Sequence, residues 1–458
     1  MKKIVFVGVL VLMVNIVKSQ ILQSVTTANQ KQLLHETKIS WNTSKVHNTS
    51  AIKITVDTSK HFQKMEGFGY ALTGGSAQLI HGLPGVKRTA FLKEVFSNKG
   101  IGVSYIRISM GASDLDASVF SYDDLPAGQT DTSLKYFSLA LDTVHLIPVI
   151  KEAMGVNPKL KVMASPWSPP VWMKSNGASM GGHLLKQYYG TYAKYFVKYI
   201  QAMRNKGITI NAVTIQNEPE HGGNNPSMLM DAQEQTEFIR DYLGPQFKAA
   251  HIHTEIVIWD HNADHPNYPI QVLNDKKAKQ YISASAFHMY LGNETALSQV
   301  HAQHPDKKLY FTEQWTGAKG NFDGDLMWHL EHIVLGTIQN GSSLVLEWNL
   351  AADANYAPHT PGGCTECKGA FTIEKGDYQN NVSYYIVGQI AKYVGPGAIR
   401  TSAEANSNDL SVISFNLANG KKALIVLNKG NEQSIEVNQQ NKIFNTSLPA
   451  QSVASFVW

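Results

Sequence analysis

The sequence predicts an α/β protein, a (β/α)8 TIM barrel with an attached β-sandwich domain. Three observations predict it. Eight apolar, β-rich runs recur along the chain, and helical spacing follows them in turn. From residue 399 onward the pattern changes to short alternating strands separated by Gly and Asn. Eight strands interleaved with helices imply a parallel barrel. A doubly wound open sheet is the other arrangement of the same elements.

In chain order, Lys2 and Lys3 precede an apolar run over 4–17, and Ser19 is a small residue suited to cleavage. This is the layout of a secretory signal peptide, assigned to 1–20. A membrane anchor needs about 20 apolar residues, and this run is shorter. The mature chain is expected to be exported (secreted, periplasmic or at the cell surface) with no membrane span. Residues 21–60 hold strands expected to join the sandwich, with Ile52 and Ile54 alternating with Lys53 and Thr55. The barrel is expected over 61–395, with strands at 67–71, 103–109, 161–165, 212–216, 255–259, 284–288, 308–312 and 343–348. Helices fall at 87–96, 140–154, 184–205, 231–250, 271–279, 295–303 and 325–339, and a last one at 382–394. The sandwich follows over 396–458 with no long linker, its runs punctuated by Gly420 and Gly430.

Composition bounds the function. Of 458 residues, 43% are hydrophobic and 17% charged, which excludes a disordered chain, a coiled coil and a collagen-like repeat. A net charge of +4 with no basic stripe excludes a nucleic-acid partner and points to a small or neutral ligand. The two cysteines, Cys364 and Cys367, are too few for a structural zinc site. In an exported chain they read as a local disulfide, with inert thiols as the alternative. There is no Gly-x-Gly-x-x-Gly after a strand and no phosphate loop, so no organic cofactor is implied. No His-Glu-x-x-His run exists, and no metal is expected. His261 and His265, beside Asp260, come nearest to a metal cluster and read better as solvated loop residues.

Barrel active sites lie at the C-terminal ends of the strands. The polar and aromatic residues falling there are Arg107 and Asp114 after the second strand, Trp167 and Trp172 after the third, and Asn217 and Glu218 after the fourth. The sixth delivers His288 and Tyr290, the seventh Glu313, and the eighth Glu347 and Trp348. Two glutamates at one barrel mouth, with aromatic platforms for the C–H faces of sugars, suit glycoside cleavage: one protonates the leaving oxygen and the other attacks the anomeric carbon. The substrate is then a neutral glycoside.

At these residues the sequence resembles glycoside hydrolase family 30. The matches are Asn217-Glu218-Pro219, Thr312-Glu313, Glu66-Gly67-Phe68-Gly69, the run from Ala164 to Lys174 (ASPWSPPVWMK) and Glu347-Trp348-Asn349-Leu350. The resemblance spans essentially the whole mature chain, and the family's sandwich is built from both chain ends. It implies a retaining β-glycosidase with Glu218 as acid/base and Glu313 as nucleophile. Asn217 would bond the sugar 2-hydroxyl, Arg107 would hold Glu313 ionised, and Asp114 would grip distal sugar hydroxyls. Trp167, Tyr290 and Trp348 would line the −1 subsite, with His288 and Trp172 as further contacts and Glu347 as a buried support.

The segments Gly362–Ala370 (GGCTECKGA) and Thr312-Glu313-Gln314-Trp315 resemble the microbial β-1,6-glucanase branch. An endo-β-1,6-glucanase is therefore expected. A glucosylceramidase-like exo-β-glucosidase is the alternative, and a non-catalytic carbohydrate-binding protein a third reading. One ionised and one protonated glutamate also imply a bell-shaped pH profile with a mildly acidic optimum.

Overall fold

The computed structural model describes residues 20–42, 50–440 and 442–458. The expected signal segment lies, apart from Gln20, outside the described residues. Eight parallel strands close into a barrel: Gly67–Ala71, Tyr105–Ser109, Lys161–Ser165, Ala212–Thr214, Glu255–Ala263, Ile282–Gly292, Lys308–Glu313 and Ser342–Asn349. They are called the first to eighth barrel strands below. All eight expected strands are present, and the fifth and sixth run four residues further than expected.

Alternation along these strands explains how they bury both faces. Tyr105, Met163, Ala212, Val257, Ala284, Tyr310 and Leu344 point inward and fill the barrel. Their neighbours Ile106, Val162, Val213, Ile256, Phe311 and Val345 point outward into the layer of helices. Gly69 is required by close approach, because a Cβ there would stand 1.9 Å from the Tyr105 carbonyl oxygen. The helix after the fourth strand starts at Asp231, which forms a capping box with Glu234 and runs on through a wide turn at Phe238–Leu243. One helix was not anticipated. Gly74–Gly82 opens with two glycines, which lower helix propensity, but the Thr73 side chain caps it by accepting from Ser76 N.

The second layer is a nine-stranded sheet folded over on itself. Its order is His35–Ser40, Gln20–Thr27, Ser452–Val457, Lys422–Asn428, Leu410–Asn416, Ile399–Ala405, Ile52–Lys64, Gln433–Gln439 and Lys442–Leu448. N-terminal strands do join it. Ile21, Ile54, Leu424, Val426, Val437, Phe444 and Phe456 pack between the two halves as the sandwich core. The intervening residues Ile413, Phe415, Ala423, Ile425 and Val453 belong instead to the barrel's core. Central sandwich strands are therefore buried on both faces, which is why Ala423-Leu424-Ile425-Val426-Leu427 carries no polar residue.

The last helix, Val382–Ala391, wedges between the two layers. Its Gln389 side chain is fully buried; Nε2 donates to Ser24 O and Ser455 Oγ, both at 2.9 Å, and Oε1 accepts from Thr26 Oγ1 at 2.9 Å.

Candidate active site

At the C-terminal mouth of the barrel lies a cavity of about 450 Å³, walled by Asp114, Trp167, Glu218, Tyr290, Glu313 and Trp348 among others. Beneath it sits the fully buried guanidinium of Arg107. Nη1 donates to Glu313 Oε2 at 2.6 Å, Nη2 to Asn217 Oδ1 at 2.6 Å and to Asp260 Oδ2 at 2.8 Å, and Nε to Ser165 Oγ at 3.0 Å. Trp167 and Trp348 stack with ring centroids 5.5 Å apart, and the guanidinium carbon lies 4.8 and 5.7 Å from their rings. One cation thus ties together the ends of the second, third, fourth, fifth and seventh strands.

Asp260 is the counterpart that sequence reasoning missed. It has no exposed surface and accepts from Arg107, from Ser165 Oγ at 3.1 Å and from Thr312 Oγ1 at 2.7 Å, with His288 Nε2 at 3.2 Å. Trp259 and Asp260 both adopt the left-handed region, φ +71° and +65°, and the ladder to the sixth strand shifts register there. That irregularity turns the carboxylate inward under the cavity rather than out onto a loop. The sequence carries a clue: only the first and fifth strands lack an expected site residue, and Asp260 stands directly after the expected end of the fifth.

Glu313 accepts on both oxygens, from Arg107 on Oε2 and from the Tyr290 hydroxyl on Oε1 at 2.9 Å. Glu218, also in the left-handed region at φ +46°, accepts from Asn224 Nδ2 at 3.2 Å. His288 Nδ1 stands between the two carboxylates, 3.2 Å from Glu218 Oε1 and 3.9 Å from Glu313 Oε1. His261 Nδ1 approaches Glu218 Oε1 to 3.7 Å, beyond hydrogen-bond range.

Electrostatics couple these groups. Burial disfavours the Arg107 charge, but Asp260 and Glu313 raise its pKa above the ordinary value. Asp260 is pulled well below the usual carboxylate range by Arg107 and His288 in spite of its burial. Burial opposes protonation of His288 as well; Glu313, Asp260 and Glu218 overcome it and push the imidazole up to about 9. Burial and the facing Glu218 push the Glu313 carboxyl up, against the pull of His288 and Arg107. Glu218, though buried, is drawn down by the two imidazoles. Asp114 is pushed up to about 7 by burial and by the negative charge of Glu313. Three carboxylates beneath the cavity (Asp260, Glu218, Glu313) thus face two cations, and the contents of the cavity decide where a shared proton sits.

Of the expected site residues, Asp114, Trp167, Glu218, Tyr290, Glu313 and Trp348 line the cavity, while Arg107, Asn217 and His288 stand directly behind its wall. Trp172 does not belong to it. The turn through Pro169 and Pro170 carries the chain away from the mouth, so the indole packs on Tyr188 and donates to Asp123 O at 2.9 Å. Glu347 points away from the cavity and pairs with His329 at 2.8 Å. His261, read as a solvated loop residue, is buried against the cavity, whereas His265 is exposed and pairs with Glu220. Cys364 and Cys367 are bridged and form part of the cavity wall, and the Cys364 N–H donates to Asp114 Oδ2 at 3.3 Å. Their loop pairs with Thr316–Gly317, just past Glu313.

Known proteins share this architecture. The glycosyl hydrolase family 30 TIM-barrel domain matches residues 65–394, and the β-sandwich domain of the same family matches 397–456. The chain is 34% identical over 439 residues to the endo-1,6-beta-D-glucanase neg1 of Aspergillus fumigatus, covering 89% of this chain and 88% of that one. It is 27% identical over 436 residues to the lysosomal acid glucosylceramidase of Mus musculus, covering 89% and 84%. The solved structure of the endo-beta1,6-glucanase BT3312 superposes with a TM-score of 0.90 at 34% identity, over 96% of this chain and 99% of that one. With a barrel and a sandwich that both match, and this identity over nearly its whole length, the chain belongs to glycosyl hydrolase family 30.

Proposed function

We propose that this glycoside hydrolase is an exported, retaining endo-β-1,6-glucanase in which Glu313 is the nucleophile and Glu218 the acid/base. The observation that carries the assignment of roles is the unequal provision of donors. Glu313 has a charged donor on one oxygen and a hydroxyl on the other, which favour its anion. Glu218 has a neutral amide and the His288 imidazole. Without substrate that imidazole keeps the proton and draws Glu218 down while Glu313 is pushed up, so the roles require the proton to pass from His288 to Glu218 as a sugar enters the cavity. In the first step a Glu313 oxygen bonds to the anomeric carbon while the glycosidic oxygen leaves with the Glu218 proton. In the second, Glu218 takes a proton from water, the water oxygen bonds to the same carbon, and Glu313 leaves. Asn217, fixed by Arg107, supports a bond to the 2-hydroxyl that strengthens as charge develops. The stacked indoles of Trp167 and Trp348 provide an apolar face for a sugar ring.

The choice of β-1,6-glucan rests on the relatives. Three endo-1,6-beta-D-glucanases are 33–34% identical to this chain, against 27–28% for glucosylceramidases. Among the described residues no helix is long and apolar enough to cross a membrane. The test is product analysis of the protein on linear β-1,6-glucan, with Glu313→Gln run alongside. A ladder of short β-1,6 oligosaccharides, lost by about 10⁴-fold in the variant, is the expected result. Glucose released from glucosylceramide and none from the glucan would overturn the substrate assignment while keeping the site.

A further inference from the structure

His261 is an anomaly in the site just described. Its side chain is buried, it faces the cavity, and Nδ1 has no hydrogen-bond partner among the described residues. A buried imidazole nitrogen left unpaired costs free energy without an evident return. What it faces is Glu218 Oε1, at 3.7 Å, with His288 Nδ1 3.2 Å from the same oxygen. One ligand atom from each of the three residues lies within 4.8 Å of the others.

We propose that Glu218, His261 and His288 form a zinc-binding site whose occupation inhibits the enzyme. The donor set of two imidazoles and one carboxylate suits zinc and disfavours calcium or magnesium, which take oxygen ligands; the ion takes the place of the proton on His288 Nδ1, which is released to solvent. The spacing suits it as well. Ligands about 2.0–2.1 Å from a tetrahedral ion stand about 3.3 Å apart; the 3.2 Å and 3.7 Å separations to Glu218 are near that, while the two imidazole nitrogens, within 4.8 Å of each other, must close by up to about 1.5 Å. A supporting shell is already built: the far nitrogen of His288 is held by the Asp260 carboxylate at 3.2 Å, the arrangement that orients and strengthens imidazole ligands. The cavity supplies water or a substrate hydroxyl as fourth ligand. An ion here occupies the Glu218 oxygen next to His288 and prevents the proton transfers assigned to Glu218. The inhibition therefore rests on the function proposed above, whereas binding does not.

The test uses the full chain freed of metal with a chelator. Zinc titration by calorimetry is expected to show one site per chain, and cobalt substitution the visible absorption of a tetrahedral ion. His261→Asn and His261→Gln should each weaken zinc binding by about a hundredfold, with unchanged thermal midpoints confirming that they fold. His265→Gln, which removes the exposed imidazole beside Glu220, should leave zinc affinity as in the wild type. Zinc should also inhibit β-1,6-glucan hydrolysis competitively and reversibly by chelator, the inhibition constant rising in the His261 variants by the same factor as the binding constant. Equal zinc affinity in wild type and both His261 variants, or loss of binding with His265→Gln, would overturn the site. Zinc bound through His261 by a protein that cleaves no β-glucoside would uphold the site and remove the proposed function instead.

Discussion

Tyr290→Phe isolates one hydrogen bond in the catalytic pair. The hydroxyl donates to Glu313 Oε1 at 2.9 Å, while Arg107 keeps its hold on Oε2. Removing a donor from the ionised form raises the pKa of the carboxyl, since the neutral acid gains less from the same bond. A hydrogen bond to a charged group contributes about 1.5–3 kcal/mol, and one pKa unit corresponds to about 1.4 kcal/mol, so the shift should be about 1–2 units upward. Because activity requires Glu313 ionised, the acid limb of kcat/KM should move up by that amount, narrowing the bell from its acid side. The assay is kcat/KM for a soluble β-1,6-gluco-oligosaccharide across about pH 4–8 at constant ionic strength, read as the apparent values of the coupled set. An acid limb within about 0.3 units of the wild type would refute the reasoning, because Glu313 would then not be the group whose ionisation limits activity.

Other perturbations separate binding from chemistry and stability from both. Replacing Cys364 and Cys367 together by serine frees the loop whose Cys364 N–H meets Asp114; KM should rise about 3–10-fold with kcat within about twofold, and an unchanged KM would detach the bridge from substrate binding. Gln389→Leu leaves the Ser24 carbonyl and the Thr26 hydroxyl without their buried partner. Calorimetry should show a loss of about 2–5 kcal/mol in stability, with kcat/KM at mild temperature preserved. The pH dependence of stability has a definite sign. Burial pushes Asp114 and Asp142 up to about 7 and Asp116 up to about 6, so the folded state binds these protons more tightly than the unfolded chain. Their contribution is therefore lost as pH rises from about 4 to 7, and that of His288, raised to about 9, is lost above its ordinary value as pH climbs through 9. The thermal midpoint should be higher near pH 5 than at pH 8, and the opposite order would contradict those shifts.

The barrel was legible because each strand carries its own evidence: a short β-rich run, a polar residue at its C-terminal end, and a helix after it. Position at a strand end also brought out the two glutamates, Arg107 and Tyr290. What could not be read locally was which side chain turns inward at an irregularity. Asp260 enters the site through two left-handed residues and a register shift, and a run such as Trp259-Asp260-His261-Asn262 looks like a solvated turn to any reading based on period. Trp172 failed for the converse reason. It follows a strand end closely in sequence, but two prolines redirect the chain before it. His288, expected as a further contact, is buried and placed between the carboxylates, so it is at once a core histidine and a site residue.

The order of strands in the folded-over sheet sets a timetable for the chain. Gln20–Thr27 pairs on one side with the nearby His35–Ser40, but on the other with Ser452–Val457, made far later. At about 5–20 residues per second, the roughly 430 residues between them take about 20–90 s to synthesise. Until then the backbone N–H and C=O groups on that side of Gln20–Thr27 lack their partners, a template for pairing with other chains. Ser452–Val457 therefore closes the sheet between Gln20–Thr27 and Lys422–Asn428, and a chain halted before it would present a nearly finished barrel together with an unsealed, adhesive edge.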